Sequence, residues 1–459
     1  MKKNKKISLI VLVALLFFNN LYAQNFASKS SDDDINQLNK RIELNPKDAY
    51  AYNARGVAYA HKGKYVRAVS DYNKAIDLNP NNGNYYYNRG LSYFKNGNYD
   101  QAILDYSKAI NLNPNDADAY SNRGNAFEAK GSYAKAMADF NKGIELNSNH
   151  SCLYSNRAGA YYKNGDYVKA ISDYTKAIDL NFNCFENCAD KGVSKEEYHN
   201  QEAFVYLFRG LSYCKIRNYT QAIIDCNKAI ELNSDYPDAY VGLGVIFTYQ
   251  KNYAKANFEF SKAIEYNPKF VLAYVNRGDV YYRIDKFAQA IIDFNKAIEL
   301  NPNFDEGYIG LGLTYCKQGK LSQAISNFSK AIEINPKSET AYFGRGFAYS
   351  KQEKFTQAIS DYTKVIELKP KNETAYYDRG IANRKQGNLL QANLDFNQSI
   401  KLKPKHAGSY EGLAYVYFYK QDYMNAWANI HKADTLGYKS DKEDLEFLDK
   451  LKKASGRDN

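Results

Sequence analysis

The 459-residue chain carries a formal charge of +11, but four of its 62 basic residues (Lys2, Lys3, Lys5 and Lys6) and none of its 51 acids fall in the first 23 positions, so loss of that segment leaves +7. Spread over the rest of the chain this excess is mild. It supports solubility and acidic partners, and it excludes nucleic-acid binding driven by charge. Six cysteines are too few for a fold built on disulfides.

The chain opens with MKKNKK, a 12-residue apolar run ISLIVLVALLFF, and NNLYA. A basic start, a short apolar stretch and a small residue at Ala23 predict a secretory signal peptide over residues 1–23. The run is too short to span a bilayer, which needs about 20 residues, and no later segment is apolar enough to do so. No Cys follows the cut, so a lipoprotein anchor is not indicated. The expected destination is the periplasm, the medium or the surface of a bacterium. Leu21 is bulky for the residue before a cut, which leaves an uncleaved anchor as the other reading. Residues 24–34 read as a polar linker.

From residue 35 the sequence repeats. Residues 35–48 match the second half of a 34-residue unit, and full copies begin at 49, 83, 117, 151, 203, 237, 271, 305, 339, 373 and 407. A fixed period of this length signals a repeat array. In the second copy Tyr86, Arg89, Gly90 and Tyr93 fall at helical spacing, and Asn96-Gly97-Asn98 breaks the chain. Ala102, Tyr106, Ala109 and Ile110 then mark one face of a second helix, which Asn113-Pro114 stops. Gly90 and Ala102 lack bulk and let the two helices approach, with Tyr86, Tyr93 and Tyr106 filling the surrounding space. All eleven copies have Tyr in the Tyr86 column and Ala in the Ala102 column.

This pattern resembles the tetratricopeptide repeat, a helix-turn-helix unit of 34 residues, over residues 35 to about 440. The resemblance implies an all-α fold: a right-handed α-solenoid of about eleven and a half units whose first helices line a concave groove. Residues 35–184 would form its first part, 185–202 an insertion, and 203–440 its second part. Residues 441–459, with Leu445, Leu448 and Leu451 on one face, would form a capping helix and tail, as an array needs.

The family usually has Leu where this chain has Arg89. Eight copies carry Arg there (55, 89, 123, 157, 209, 277, 345 and 379), and three carry Leu (243, 311 and 413). Sixteen residues on, the Arg copies hold Asp71, Asp105, Asp139, Asp173, Asp225, Asp293, Asp361 and Asp395, whereas the Leu copies hold Glu259, Asn327 and Asn429. The match holds within each copy and fails between neighbours. It predicts structural ion pairs, Arg55–Asp71, Arg89–Asp105 and Arg123–Asp139 among them, joining first helix to second. Shared ancestry of duplicated copies is the alternative account of the two columns.

Cys184 and Cys188 lie close together where the insertion begins. In an oxidising compartment they form a disulfide or remain thiols. With His199 they make a loosely spaced set, too weak to predict a metal site. Ser194 and Glu197 form a capping box, so the next helix is expected to begin near 195 and run into Tyr206 and Arg209. The segment is either a tolerated extension or a docking element.

For the groove, the resemblance points to residues one before the Arg column: Asn88, Asn122, Asn156 and Asn276, similar to part of the asparagine ladder of O-linked N-acetylglucosamine transferases. An amide offers a donor and an acceptor to each peptide group. Tyr87, Phe94, Tyr162 and Tyr282 are expected to line the same surface, with Lys95 and Lys163 one step on. Aromatic and basic residues together suit an extended peptide with some acids, and also a glycan. Five scattered histidines and the absence of a phosphate loop, a G-x-S-x-G elbow or an H-E-x-x-H helix give no catalytic residue, cofactor or metal. The expected function is an exported scaffold that is not an enzyme and binds protein or peptide segments. The alternatives are a glycan-binding or envelope-polymer-binding scaffold, or a subunit of an envelope complex. Partner identity and oligomeric state are not legible.

Overall fold

The computed structural model describes residues 32–181, 195–438 and 442–456, and its described residues fall into two compact units, 32–268 and 269–456. The signal segment and the Cys184–Cys188 pair lie outside the described residues. All 24 described elements are helices. In the first unit they are α1 (Asp32–Leu44), α2 (Ala49–His61), α3 (Tyr65–Leu78), α4 (Gly83–Lys95), α5 (Tyr99–Leu112), α6 (Ala117–Ala129), α7 (Tyr133–Leu146), α8 (Ser151–Lys163), α9 (Tyr167–Asn181), α10 (Lys195–Lys215), α11 (Tyr219–Leu232), α12 (Pro237–Tyr249) and α13 (Tyr253–Tyr266). The second unit holds α14 (Val271–Arg283), α15 (Phe287–Leu300), α16 (Asp305–Lys317), α17 (Leu321–Ile334), α18 (Glu339–Lys351), α19 (Phe355–Leu368), α20 (Glu373–Lys385), α21 (Leu389–Leu402), α22 (Ala407–Tyr419), α23 (Tyr423–Thr435) and α24 (Lys442–Ser455).

Local chemistry sets the helix ends. Asp48, Asn82, Asp116, Ser338 and Asn372 each accept a backbone N–H in the first turn of the helix that follows, satisfying donors that the helix itself cannot. Asn113 leaves helical geometry at φ −136° and ψ 90° before Pro114, as the proline ring requires. Between paired helices the chain passes through the left-handed region, at Gly97 for example (φ 80°). Within each unit consecutive first and second helices pack pairwise, forming an α-solenoid.

The core is a file of second-helix aromatics. Tyr72, Tyr106, Phe140, Tyr174 and Phe260 in the first unit are at most 1% exposed, and so are Phe294, Phe328, Tyr362 and Phe396 in the second. Glycines make room for these rings. A Cβ on Gly90 would stand 2.9 Å from the Tyr106 ring. In the second unit the rings are gripped from two repeats: Phe328 lies where a Cβ on Gly312 or on Gly344 would come within 2.7 or 2.4 Å of it. The Gly344 column is the Asn88 column. It therefore faces the second helix of the preceding repeat.

Each of the eight arginines donates two hydrogen bonds to its aspartate, from Nε and Nη2, at 2.6–3.0 Å. The guanidinium lies over the Tyr86-column ring of the same helix, at 5.3–5.7 Å in all eight copies. Arg89 is also 6.0 Å from the Tyr93 ring. Tyr86 and Tyr93 thus pack on the cation, Tyr93 also packs against the Ala102–Tyr106 cluster, and Tyr106 with the Asp105 Cβ lies beside Gly90. A third bond, from Nη1, reaches back to the second helix of the preceding repeat. Arg55 finds Asn39, Arg89 Asn73, Arg123 Ser107, Arg157 Asn141, Arg345 Ser329 and Arg379 Thr363. Arg209 makes the same bond to Thr175 at 3.2 Å, 34 residues back where the others count 16. The insertion therefore leaves the packing register unchanged, and α10 packs on α9. In two of the Leu copies the would-be partner turns to its own helix: Asn327 bonds the Gln323 carbonyl and Asn429 the Asn425 carbonyl.

At the end of the second unit α24 covers the last pair. Phe447 stacks on Tyr415 with centroids 3.7 Å apart, Leu451 is fully buried, and Trp427 donates to Ser455. Leu445 is 59% exposed, so the buried face of α24 is Phe447, Leu448 and Leu451. Leu448 and Leu451 of the predicted stripe lie on it, and Phe447 takes the place expected of Leu445.

Arg89→Leu alone is expected to destabilise the array by about 3–5 kcal/mol, because Asp105 would be left buried and unpaired. Adding Asp105→Asn should restore most of it, and a double-mutant cycle followed by urea unfolding reads the coupling. Gly344→Ala should cost about 1–3 kcal/mol through overpacking on Phe328, measured the same way.

Candidate functional site

The side chains expected to line the groove divide into three groups. The asparagines of α4, α6 and α8 are engaged across repeats. Asn88 donates to Asn53 Oδ1 at 3.0 Å, Asn122 to the Tyr87 hydroxyl at 2.8 Å, and Asn156 to Ser121 Oγ at 2.9 Å. Their amide donors tie one first helix to the one before it. Asn276 is 2% exposed and donates to the Leu272 carbonyl of its own helix. An open amide ladder is therefore corrected to a set of inter-helix ties, because this column faces the preceding repeat.

The aromatics are mostly core. Phe94 and Tyr162 are 7% and 4% exposed. Phe94 packs on Tyr99, and Tyr162 on Tyr167 and Phe208. Tyr87 packs on Tyr106 and accepts from Asn122. Tyr282 is half-buried, and burial pushes its hydroxyl up to about 12. None of them is an open stacking platform.

The cations remain informative. Lys163 Nζ lies 3.2 Å from Glu128 on the preceding first helix. The buried Lys95 Nζ has no hydrogen-bond partner, and desolvation lowers it to about 8. Asn125 was not anticipated. It is 2% exposed, and neither its Oδ1 nor its Nδ2 has a partner. Glu128, one turn on, is held above its ordinary range, first by burial, with Lys163 opposing. Asn122, Asn125 and Glu128 lie three residues apart on α6 and so share a side of the helix. The signal was present in the sequence. Asn125 occupies a column otherwise filled in this unit by Val57, Leu91, Gly159, Leu211 and Val245, where an amide has no packing reason.

Other titratable groups are set by burial. The thiols of Cys214 and Cys316 are pushed up to about 12, and that of Cys226 well above its ordinary value. Three first-helix acids, Asp238, Glu306 and Asp378, are each raised to about 7 chiefly by desolvation. Among the described residues no group of three His, Cys, Asp or Glu side chains could hold a metal, and no helix is long and apolar enough to cross a membrane.

Asp238 binds its proton more tightly folded than unfolded, so its own contribution to stability is fully present below about pH 4 and is lost as pH rises through about 7. The shift from 3.8 to about 7 corresponds to roughly 4 kcal/mol. Asp238→Asn should flatten this decline, read by hydrogen exchange in α12 at pH 5 and pH 8.

Sequence models of the tetratricopeptide repeat match residues 58–97, 90–131 and 312–353; residues 117–150, 151–184, 271–304 and 340–372; residues 38–70 and 294–326; and residues 205–236 and 237–270. No curated protein matches the chain significantly. Similar solved structures include yeast Tom70, at 20% identity over 90% of this chain and 96% of that one, with a TM-score of 0.42. A tetratricopeptide repeat protein from Parabacteroides merdae is 20% identical over 58% and 98%, with a TM-score of 0.47. Pseudomonas aeruginosa pilF is 21% identical over 47% and 98%, with a TM-score of 0.43. With matches tiling residues 38–184 and 205–372 onto the paired helices described above, the chain belongs to the tetratricopeptide repeat family.

Proposed function

We propose that the protein is an exported, non-catalytic scaffold whose first helices hold an extended or helical segment of a partner protein. Export rests on the basic and apolar pattern of residues 1–23. The observation that carries the binding reading is Asn125, a buried amide with both polar atoms unpartnered on the first helix of the third repeat. A buried polar atom without a partner costs about 1–3 kcal/mol. A peptide group supplies the acceptor and the donor that this amide lacks. Lys95 on α4 adds an unpartnered ammonium for an acidic residue of the same segment.

The test is site-specific photo-crosslinking in cells. The photoreactive residue goes at Ala129, exposed and one turn from Asn125, with Lys142 on α7 as the control. The expected result is a discrete protein adduct at Ala129 alone, lost when Asn125→Leu is added. Equal adducts at both positions, no adduct, or an adduct indifferent to Asn125→Leu would overturn the peptide reading.

A further inference from the structure

At the C-terminal end of α10 a cavity of about 410 Å³ is lined by Cys214, Lys215, Arg217, Tyr219 and Tyr249. The five residues come from the end of α10, the turn after it, the first residue of α11 and the last of α12. All lie in the first unit.

The cavity has a charge imbalance. Two of its lining residues are cationic and none is a carboxylate. Neither Lys215 nor Arg217 has an ion-pair partner among the described residues. Lys215 Nζ lies 6.0 Å from the Tyr167 ring, and burial lowers its ammonium below the ordinary value. Arg217 sits at φ 65° in the turn column that glycine fills in six copies and Lys251, Asp285, Glu353 and Gln421 fill at φ 58–61°, and there it brings a guanidinium to the cavity. Tyr249 is 38% exposed. Behind it, Tyr162 is 4% exposed with an unpartnered hydroxyl, close enough to Cys214 and Tyr249 to feel both electrostatically.

We propose that this cavity binds a carboxylate carried on a ring, the anion held by Lys215 and Arg217 and the ring against Tyr219 and Tyr249. Unpaired cations select an anion through charge-assisted hydrogen bonds. Tyrosine faces accept a flat or six-membered ring, and the volume falls in the usual range for small-molecule sites. Two sources share this chemistry, an aromatic acid and a uronic acid unit. The site is separate from the Asn125 face and does not depend on the peptide reading.

Calorimetric titration of the full chain tests it, with benzoate and glucuronate as probes. Benzyl alcohol and glucose are the neutral counterparts, and acetate is the ringless anion. At least one ring acid should bind about tenfold more tightly than its neutral counterpart and than acetate. Which acid does so identifies the source. Lys215→Gln with Arg217→Gln should lose about tenfold or more, and Tyr249→Ala should weaken the ring acid while leaving acetate unchanged. Unaltered helicity by circular dichroism, together with an unchanged urea unfolding midpoint, separates loss of this site from loss of fold. No binding by either acid up to about 10 mM, equal binding of the neutral compounds, or full affinity in the double variant would overturn the proposal.

Discussion

One side chain organises the array. In most repeats an arginine on the first helix makes two bonds to an aspartate on its own second helix and one to the second helix before it, while a tyrosine ring lies under its charged plane. A guanidinium can sit in a helix–helix contact only if its donors are met, because an unmet buried charge is far more costly than an apolar residue in the same place. The Asp, the Asn or Ser or Thr, and the Tyr are that requirement written into three columns. Three copies meet the same geometry with leucine instead, at 3–4% exposure. The pair is thus a means of fixing register between three helices, beyond simply filling space.

The same logic applies to the first-helix face. Asn88, Asn122 and Asn156 each commit an amide N–H to the neighbouring first helix. Buried polar atoms without a hydrogen-bond partner occur in both units, and among the described residues Asn125 is the side chain that leaves both its donor and its acceptor unmet.

Much of this was legible in the sequence, and the exceptions have physical causes. The helical pairs followed from period and turn chemistry. The Arg–Asp bonds followed from two columns that change together within a copy. The third arginine bond was missed because its partners, Asn73, Ser107 and Thr363, share a chemistry without sharing an identity. The Asn88 column was misread because one residue of helical rotation moves a side chain from the groove to the preceding repeat. Gly310, Gly344 and Gly412 in that column were the available sign, since repeated glycine marks a place where something approaches the backbone closely. Phe94 and Tyr162 were misplaced for a related reason. An aromatic on a first helix is buried or open depending on the rings of adjacent helices, which no single repeat records. Asn125 stands out only against its own column, where the other copies of this unit carry Val, Leu or Gly.

The bond from Arg209 to Thr175 bears on how such a chain can change. It holds α9 and α10 at the spacing of every other pair although their sequence separation is longer by one insertion. Contour length between these helices is thereby uncoupled from their distance in space. Loop-closure entropy grows slowly with length, by about 0.6 kcal/mol per doubling, so the added residues change little in the cost of bringing α9 and α10 together. The junction is a splice point. The chain carries 18 more residues there than between other neighbouring repeats, and the bond between α9 and α10 is the one found elsewhere in the array.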